Sequence, residues 1–390
     1  AGRRHGGAEL LLEAPVDAFD AAYRWGGVDT SKVDCGHLGP RIAAAQRPVQ
    51  VSTATAVHTI PEAHGQYVRV LAWDPFREIL ISGGGDGHVR FWGPEGRGYA
   101  GRGGLDAERS VRSLLVLPEE LVSGHSTGEV VLWAMELWGT PRVQTLQAHL
   151  EAVYALAMLP SGELVTGAED MRVFVRSDRD EGAFELAQVV EEEVLCLCVV
   201  PGTDLVVSGS VTALLTVWGS SRSWAVAAVC EGHSQPVWAA CYLHQVHKCA
   251  SGGEDHCVRI WSADTWECER VLCGHEGRVA GLSFGQPGWL LSCGSDGTVR
   301  AWDCGEWKEV RVFDDQQCEV YCVSPCGGGR FAAGGAGMAI VVYGDAPRAP
   351  REECASPPAC AVEGLPPSRV EPLPAASGAA AAPLAVCLEE

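Results

Sequence analysis

Histidine, serine and aspartate recur together at nearly constant offsets in this chain: His64, Ser82 and Asp86; His233, Ser251 and Asp255; His275, Ser292 and Asp296. These are the residue types of a hydrolytic triad, in which an aspartate orients a histidine that takes a proton from a serine. A hydrolase needs one such set. Three sets, each followed six residues after the aspartate by a tryptophan (Trp92, Trp261, Trp302), read as a repeated structural unit. Cys318, Cys322 and Cys326 fall every four residues, and Cys196 and Cys198 share a strand face. A structural zinc site would want closer pairs and a fourth ligand, so these thiols read as small buried hydrophobes. Gly83 to Gly87 resemble a phosphate loop but are followed neither by Lys-Ser/Thr nor by a helix, and read as a turn. Glu191-Glu192-Glu193 read as a solvated rim. No Gly-x-Ser-x-Gly or His-Glu-x-x-His occurs. The expectation is no catalytic residue, no cofactor and no metal: the chain reads as not an enzyme.

The elements that carry these residues repeat. Seven segments end at Trp92, Trp133, Arg176, Trp218, Trp261, Trp302 and Tyr343, spaced 41 to 43 residues apart. Each has an apolar run, usually Ser-Gly, a short turn, and an alternating run up to the terminal residue, which is a strand pattern. A histidine (His64, His149, His233, His275) often lies 27 or 28 residues before the end of the unit. A fixed period near 42 marks a repeat architecture.

With Gly-His near one end (Gly232-His233, Gly274-His275) and Trp or Trp-Asp (Trp302-Asp303) at the other, the chain resembles the WD-repeat (β-transducin-like) family of β-propellers over about residues 48–343. The resemblance implies an all-β fold, a single seven-bladed propeller whose last blade is completed by an N-terminal strand. Val49 to Thr55, with alternating β-branched residues, is the expected closing strand. It also implies a buried chain in which Asp accepts from His, His contacts Ser, and Ser reaches the Trp indole. Other units depart from it. Unit three keeps His149, Thr166 and Asp170 but ends in Arg176; units two and four have Thr127 and Thr212 at the Asp position and no matching His; unit seven has Gly337 there.

The expected domains are an N-terminal extension (1–47, partly helical over Leu10 to Tyr23 or disordered), the propeller (48–343), and a Pro/Ala-rich disordered tail (344–390). The chain starts at Ala rather than Met, consistent with processing or with a domain upstream. Fifty acidic against 29 basic residues give a net charge of −21, unsuited to nucleic acid or an anionic membrane by bulk charge. No apolar run has the length of a membrane span. The cysteine number is odd, 17, and no secretory signal is visible, which reads as a reducing compartment, cytoplasmic and also nuclear.

A ring of rigid loops suits recognition. The residue before each inner strand falls at Tyr67, Ser110, Ala152, Glu193, Pro236, Arg278 and Glu319; turn residues beside the Asp position add His125, Glu169 and Glu254. Tyr67 and Arg278 are the expected anchors, being of hot-spot type, with Glu193, Glu254 and Glu319 as an acidic surround. Trp238 reads as packing between blades. The expected function is a non-enzymatic scaffold or adaptor that binds a protein or peptide, preferably basic. A narrower expectation comes from two stretches, His233–Trp302 (with Pro236-Val237-Trp238-Ala239 and Cys268-Glu269-Arg270) and Glu309–Tyr343. They are loosely similar to the propeller of the phospholipase-A2-activating protein family, which implies a ubiquitin-binding adaptor in ubiquitin-dependent turnover. An enzyme would instead need a convergent polar pocket at the channel mouth.

Overall fold

Each apolar run becomes a strand too deeply buried to stand alone, and the repeats solve this by stacking. The computed structural model describes residues 56–95, 98–135, 142–176, 185–189, 192–220, 224–285, 288–327 and 329–344. Over these residues the chain forms seven four-stranded antiparallel sheets. Blade 1 runs Val68–Asp74, Ile79–Gly84, His88–Glu95 and Gly98–Asp106, and the next five blades likewise use consecutive strands. Each blade's innermost strand packs against those of both neighbours. Val68–Asp74 contacts Val320–Cys326 of blade 7, which closes the ring.

Blade 7 takes Val320–Cys326, Arg330–Gly335 and Ile340–Tyr343 from the far end of the chain, and its outer strand is His58–Ile60. The closing strand therefore differs from the expected Val49 to Thr55, which lie outside the described residues. His58 stands opposite Val342 and Ile60 opposite Ile340, and the Val57 amide donates to the Val342 carbonyl at 2.9 Å. Ile60 is buried in the cluster joining first and last blades, and Pro61, lacking an N–H, ends the pairing. Residues 1–47 and the tail beyond Gly344 also lie outside the described residues.

The Ser-Gly pairs have two separate causes. The glycine sits where the next blade presses closest: a Cβ on Gly83 would come 2.5 Å from Val111 Cγ1, and one on Gly252 would come 2.5 Å from Val279 Cγ1. The same seam recurs at Gly124·Val153, Gly167·Val194, Gly209·Val237 and, closing the ring, Gly334·Val68. Blade 6 has Cys293 there, and makes room with Gly281 on the paired strand.

The serine belongs to the buried chain. In blade 1, Trp92 Nε1 donates to Ser82 Oγ, Ser82 meets His64 Nε2, and His64 Nδ1 meets Asp86, each at 2.8 Å. Blade 5 repeats this with Trp261, Ser251, His233 and Asp255, and blade 6 with Trp302, Ser292, His275 and Asp296, at 2.7–2.9 Å. A neutral histidine protonated on Nδ1 satisfies every member: indole N–H to serine, serine O–H to Nε2, Nδ1–H to carboxylate. The histidines are buried and wholly engaged, so the apparent triads are blade-fastening devices. Blade 3 keeps His149 between Thr166 and Asp170.

His125 is not a rim residue, as the sequence suggested, but a replacement for the missing loop histidine. It is fully buried, its Nε2 lies 2.8 Å from Ser123 Oγ, and Ser123 accepts from Trp133. Its place, two residues after the serine, belongs to Gly84 in blade 1, where a Cβ would strike the His64 ring. An absent loop histidine thus leaves a hole, and His125 fills it from the strand itself. Ser210 occupies the same place in blade 4, where it donates to Glu192. Blade 7 has Ala333 in place of the serine and packs Tyr343 against Phe331 and Phe313, with centroids 4.8 and 5.0 Å away.

These networks make stability fall with acid. Burial lowers the pKa of His64. Burial alone would raise Asp86, Asp170, Asp255 and Asp296, but their histidine and backbone N–H partners outweigh it and hold all four below the usual range. A depressed folded pKa gives stability that is complete above the unfolded value and lost as pH falls through the folded one. The urea midpoint should therefore begin to drop near pH 6.5, where unfolded histidine protonates, and drop most steeply below about pH 4. A midpoint flat from pH 7 to 3 would show that the networks are not held as described.

Candidate functional site at the channel mouth

The rim is built by one repeated backbone bond. The turn amides of Gly85, Ser126, Glu169, Glu254, Ser295 and Ala336 donate to the carbonyls of Tyr67, Ser110, Ala152, Pro236, Arg278 and Glu319 at 2.8–3.1 Å. Glu193 holds the equivalent place in blade 4, directly before Val194. Six of the expected residues, Tyr67, Glu169, Glu193, Glu254, Arg278 and Glu319, thus share one face and are half-buried there. The exception is His125.

A feature of the inner strands decides what fills the mouth. Every inner strand carries a register shift at its second residue, between Val68 and Val70 in blade 1 and at the same place in the other six. The skipped residues are Arg69, Arg112, Tyr154, Leu195, Trp238, Ala280 and Tyr321. A bulge re-aims its side chain, and all seven line the channel cavity, of about 300 Å³. Sequence alternation cannot find them, because the bulge shifts the in–out phase by one residue. The available signal was positional: each directly follows the first buried valine of its inner strand. Trp238, expected to pack between blades, is a channel residue for this reason.

The mouth is ordered by its own contacts. Arg278 lies over the Trp238 ring at 4.6 Å, and Trp238 Nε1 donates to Glu254 at 3.1 Å. Tyr67 meets Tyr321 edge-on at 6.1 Å, and its hydroxyl is 3.4 Å from Ser110 Oγ. Arg69 lies 5.5 Å from the Tyr321 centroid and Arg112 5.9 Å from that of Tyr154. The Tyr154 hydroxyl donates to Glu169 at 3.5 Å. Burial pushes Tyr154 up to about 12. Burial, then Glu193 and Glu151, raise Glu169. Two thiols of the lining, Cys196 and Cys322, are buried and pushed up to about 12, so they stay protonated and unreactive at neutral pH. Guanidiniums, phenols, an indole and carboxylates equip this face for binding. Among the described residues no group of three or more His, Cys, Asp or Glu is placed to hold a metal ion.

Comparison with known proteins agrees with this architecture. The WD domain, G-beta repeat family (WD40) matches residues 55–93, 140–177, 224–262 and 266–303. A p21-activated protein kinase-interacting protein 1-like protein of Danio rerio is 37% identical over 79 residues, 20% of this chain and 22% of that protein. The nuclear distribution protein PAC1 of Gibberella zeae is 31% identical over 113 residues, 27% of this chain and 25% of that protein. The ubiquitin fusion degradation protein 3 homolog of Caenorhabditis elegans is 24% identical over 271 residues, 68% of this chain and 27% of that protein. The matches thus span about a quarter of these relatives' own length. The crystal structure of the WD40 β-propeller domain of Doa1 superposes with a TM-score of 0.66 at 20% identity, covering 75% of this chain and 97% of that one, a likeness of fold. None of these relatives bears the phospholipase-A2-activating protein name, and that narrower resemblance stays an expectation. Four stretches matched as WD repeats, set in a closed ring of seven blades of which three hold the full His-Ser-Asp-Trp chain, make this a seven-bladed β-propeller that carries WD repeats.

Proposed function

We propose that the protein is a non-enzymatic interaction platform that takes a protein or peptide partner on the face formed by Tyr67, Trp238, Arg278 and Tyr321. The observation that carries this is the stacked arginine–aromatic cluster at the mouth. Tyrosine, tryptophan and arginine dominate interface hot spots, and here their stacking fixes them before any partner arrives, which lowers the ordering cost of binding. Glu169, Glu193, Glu254 and Glu319 surround the cluster and favour a partner with basic groups at its periphery. We place the platform in a reducing compartment, the cytoplasm or nucleus, in keeping with the free thiols of the described residues.

The test is affinity capture from cell extract on the full chain, with Tyr67→Ala/Arg278→Glu in parallel and captured proteins identified by mass spectrometry. A discrete set should bind the natural chain and be lost from the double variant. Capture that is the same on both would move the function off this face.

A second reading, a ubiquitin-binding adaptor, is favoured by the similarity over 68% of this chain to a protein named for ubiquitin fusion degradation, with the Doa1 propeller as a fold relative. Titrating the chain into ¹⁵N-labelled ubiquitin should shift a contiguous set of ubiquitin amides. An unchanged spectrum at millimolar concentrations would remove this reading and leave the platform intact.

A further inference from the structure

We infer that the channel mouth is a receptor for a single anionic side chain: a carboxylate or phosphoryl group of the bound peptide inserts between Arg69 and Arg112, while Lys or Arg residues on either side of it meet the rim glutamates. This rests on the platform reading of the same face and specifies what the partner must present.

Four arginines elsewhere in the propeller each meet a carboxylate. Arg77 pairs with Asp74 at 2.9 Å, Arg90 with Asp86 at 3.3 Å, Arg259 with Asp255 at 3.9 Å, and Arg300 with Glu309. Arg69 and Arg112 have no ion pair and no hydrogen bond to a carboxylate among the described residues. Their guanidiniums lie instead against the rings of Tyr321 and Tyr154. Carboxylates are not scarce in a chain with 50 acidic and 29 basic residues. Glu169 feels the charge of Arg112 only through space, and its hydrogen bond comes from the Tyr154 hydroxyl.

The two guanidiniums come from the bulge positions of adjacent blades and line one cavity. Burial, then the like charge of Arg112 and, further on, of Arg278, holds the Arg69 guanidinium below the ordinary arginine range. That crowding is unfavourable until an anion enters, when each guanidinium gains a fork of charge-assisted bonds. The stacked tyrosines keep the guanidiniums placed in the meantime. The rim sets the opposite condition. Glu169 is raised by burial and then by its acidic neighbours Glu193 and Glu151; a run of negative charge is repelled by the same carboxylates, and only an isolated anion with cationic flanks satisfies both zones.

The test uses the full chain, immobilised, and degenerate nonapeptide libraries whose central residue is fixed as phosphoserine, Glu, Ser or Lys. Retained peptides are sequenced, and Arg69→Gln/Arg112→Gln is run in parallel. Anionic centres should be retained at least about tenfold over Ser, roughly 1.4 kcal/mol, with Lys and Arg enriched beside them. Both preferences should vanish in the double variant, and Arg112→Lys, which keeps charge but not the fork, should fall between. The phosphoserine and Glu arms identify which acid is preferred. Removing two like charges should leave the melting temperature unchanged or higher; a clear drop would make these arginines structural and overturn the inference. Equal retention of all four centres, enrichment of acidic flanks, or a preference that survives in the double variant would also overturn it. So would inorganic phosphate alone giving the same thermal stabilisation with no selection of flanks. If centre preference is absent while capture still depends on Tyr67 and Arg278, the receptor fails and the platform stands. If capture depends on neither pair, the face itself fails.

Discussion

Asp255→Ala should lower the unfolding free energy by roughly 3 kcal/mol, a fall of about 5–10 °C in melting temperature. The carboxylate of Asp255 accepts from His233 at 2.9 and 3.0 Å, from the Ser234 amide at 3.2 Å and from the Cys257 amide at 3.3 Å. Alanine removes all of these and leaves a buried Nδ1–H facing no acceptor. The cost of that orphaned donor exceeds the net value of the bond it once made. Thr212 stands at the same repeat position in blade 4, but it is exposed and its recorded partner is Ser210 Oγ at 3.1 Å. Thr212→Ala should stay within about 0.5 kcal/mol. Urea unfolding of both variants decides the matter: equal losses would mean that the equivalence of the two positions, or the burial of the His233 network, is misjudged.

Gly252→Ala should cost about 2 kcal/mol, although the same exchange at an unconstrained strand position is usually favourable. The added methyl would sit 2.5 Å from Val279 Cγ1 and 3.0 Å from Val279 Cβ, at a fully buried seam with no room to yield. Gly101→Ala is the matched control, since its nearest neighbour is Trp92 at 3.7 Å on an exposed outer strand. Combining Gly252→Ala with Val279→Ala should recover part of the loss. A double-mutant coupling below about 0.5 kcal/mol would show that the two blades do not meet at this contact.

What was legible in the sequence is what the blade repeats for internal reasons. His, Ser, Asp and Trp keep their spacing because they must meet across strands. The seam glycines keep theirs because the next blade leaves no space. Glu169 and Glu254 were placed at the rim because each directly precedes the aspartate or its equivalent in a turn of fixed length. Three things were hidden. The phase change at the bulges concealed Arg69, Arg112, Tyr154, Trp238 and Tyr321, since alternation assigns each to the wrong side of its strand. His125 looked like a turn residue because the hole it fills exists only where a loop histidine is missing, an absence in one segment answered by a presence in another. Alternation points to Val49–Thr55 as the closing strand, whereas the pairing at His58–Ile60 is fixed by Ile60 entering a core contributed by both ends of the ring, which no local pattern reveals.

The borrowed strand of blade 7 has a consequence for biogenesis. Six blades are assembled from consecutive sequence and can form as the chain is synthesised, but His58–Ile60 must wait for Ile340–Tyr343 at the other end of the ring. Until then, or after proteolytic loss of the residues before Pro61, the edge of Ile340–Tyr343 has unpaired amides and carbonyls. Such an edge is a template for any passing strand, including His58–Ile60 of a second copy. The seal of the ring is thus also the point at which two chains could exchange strands, and concentration during folding would decide between closure and entanglement.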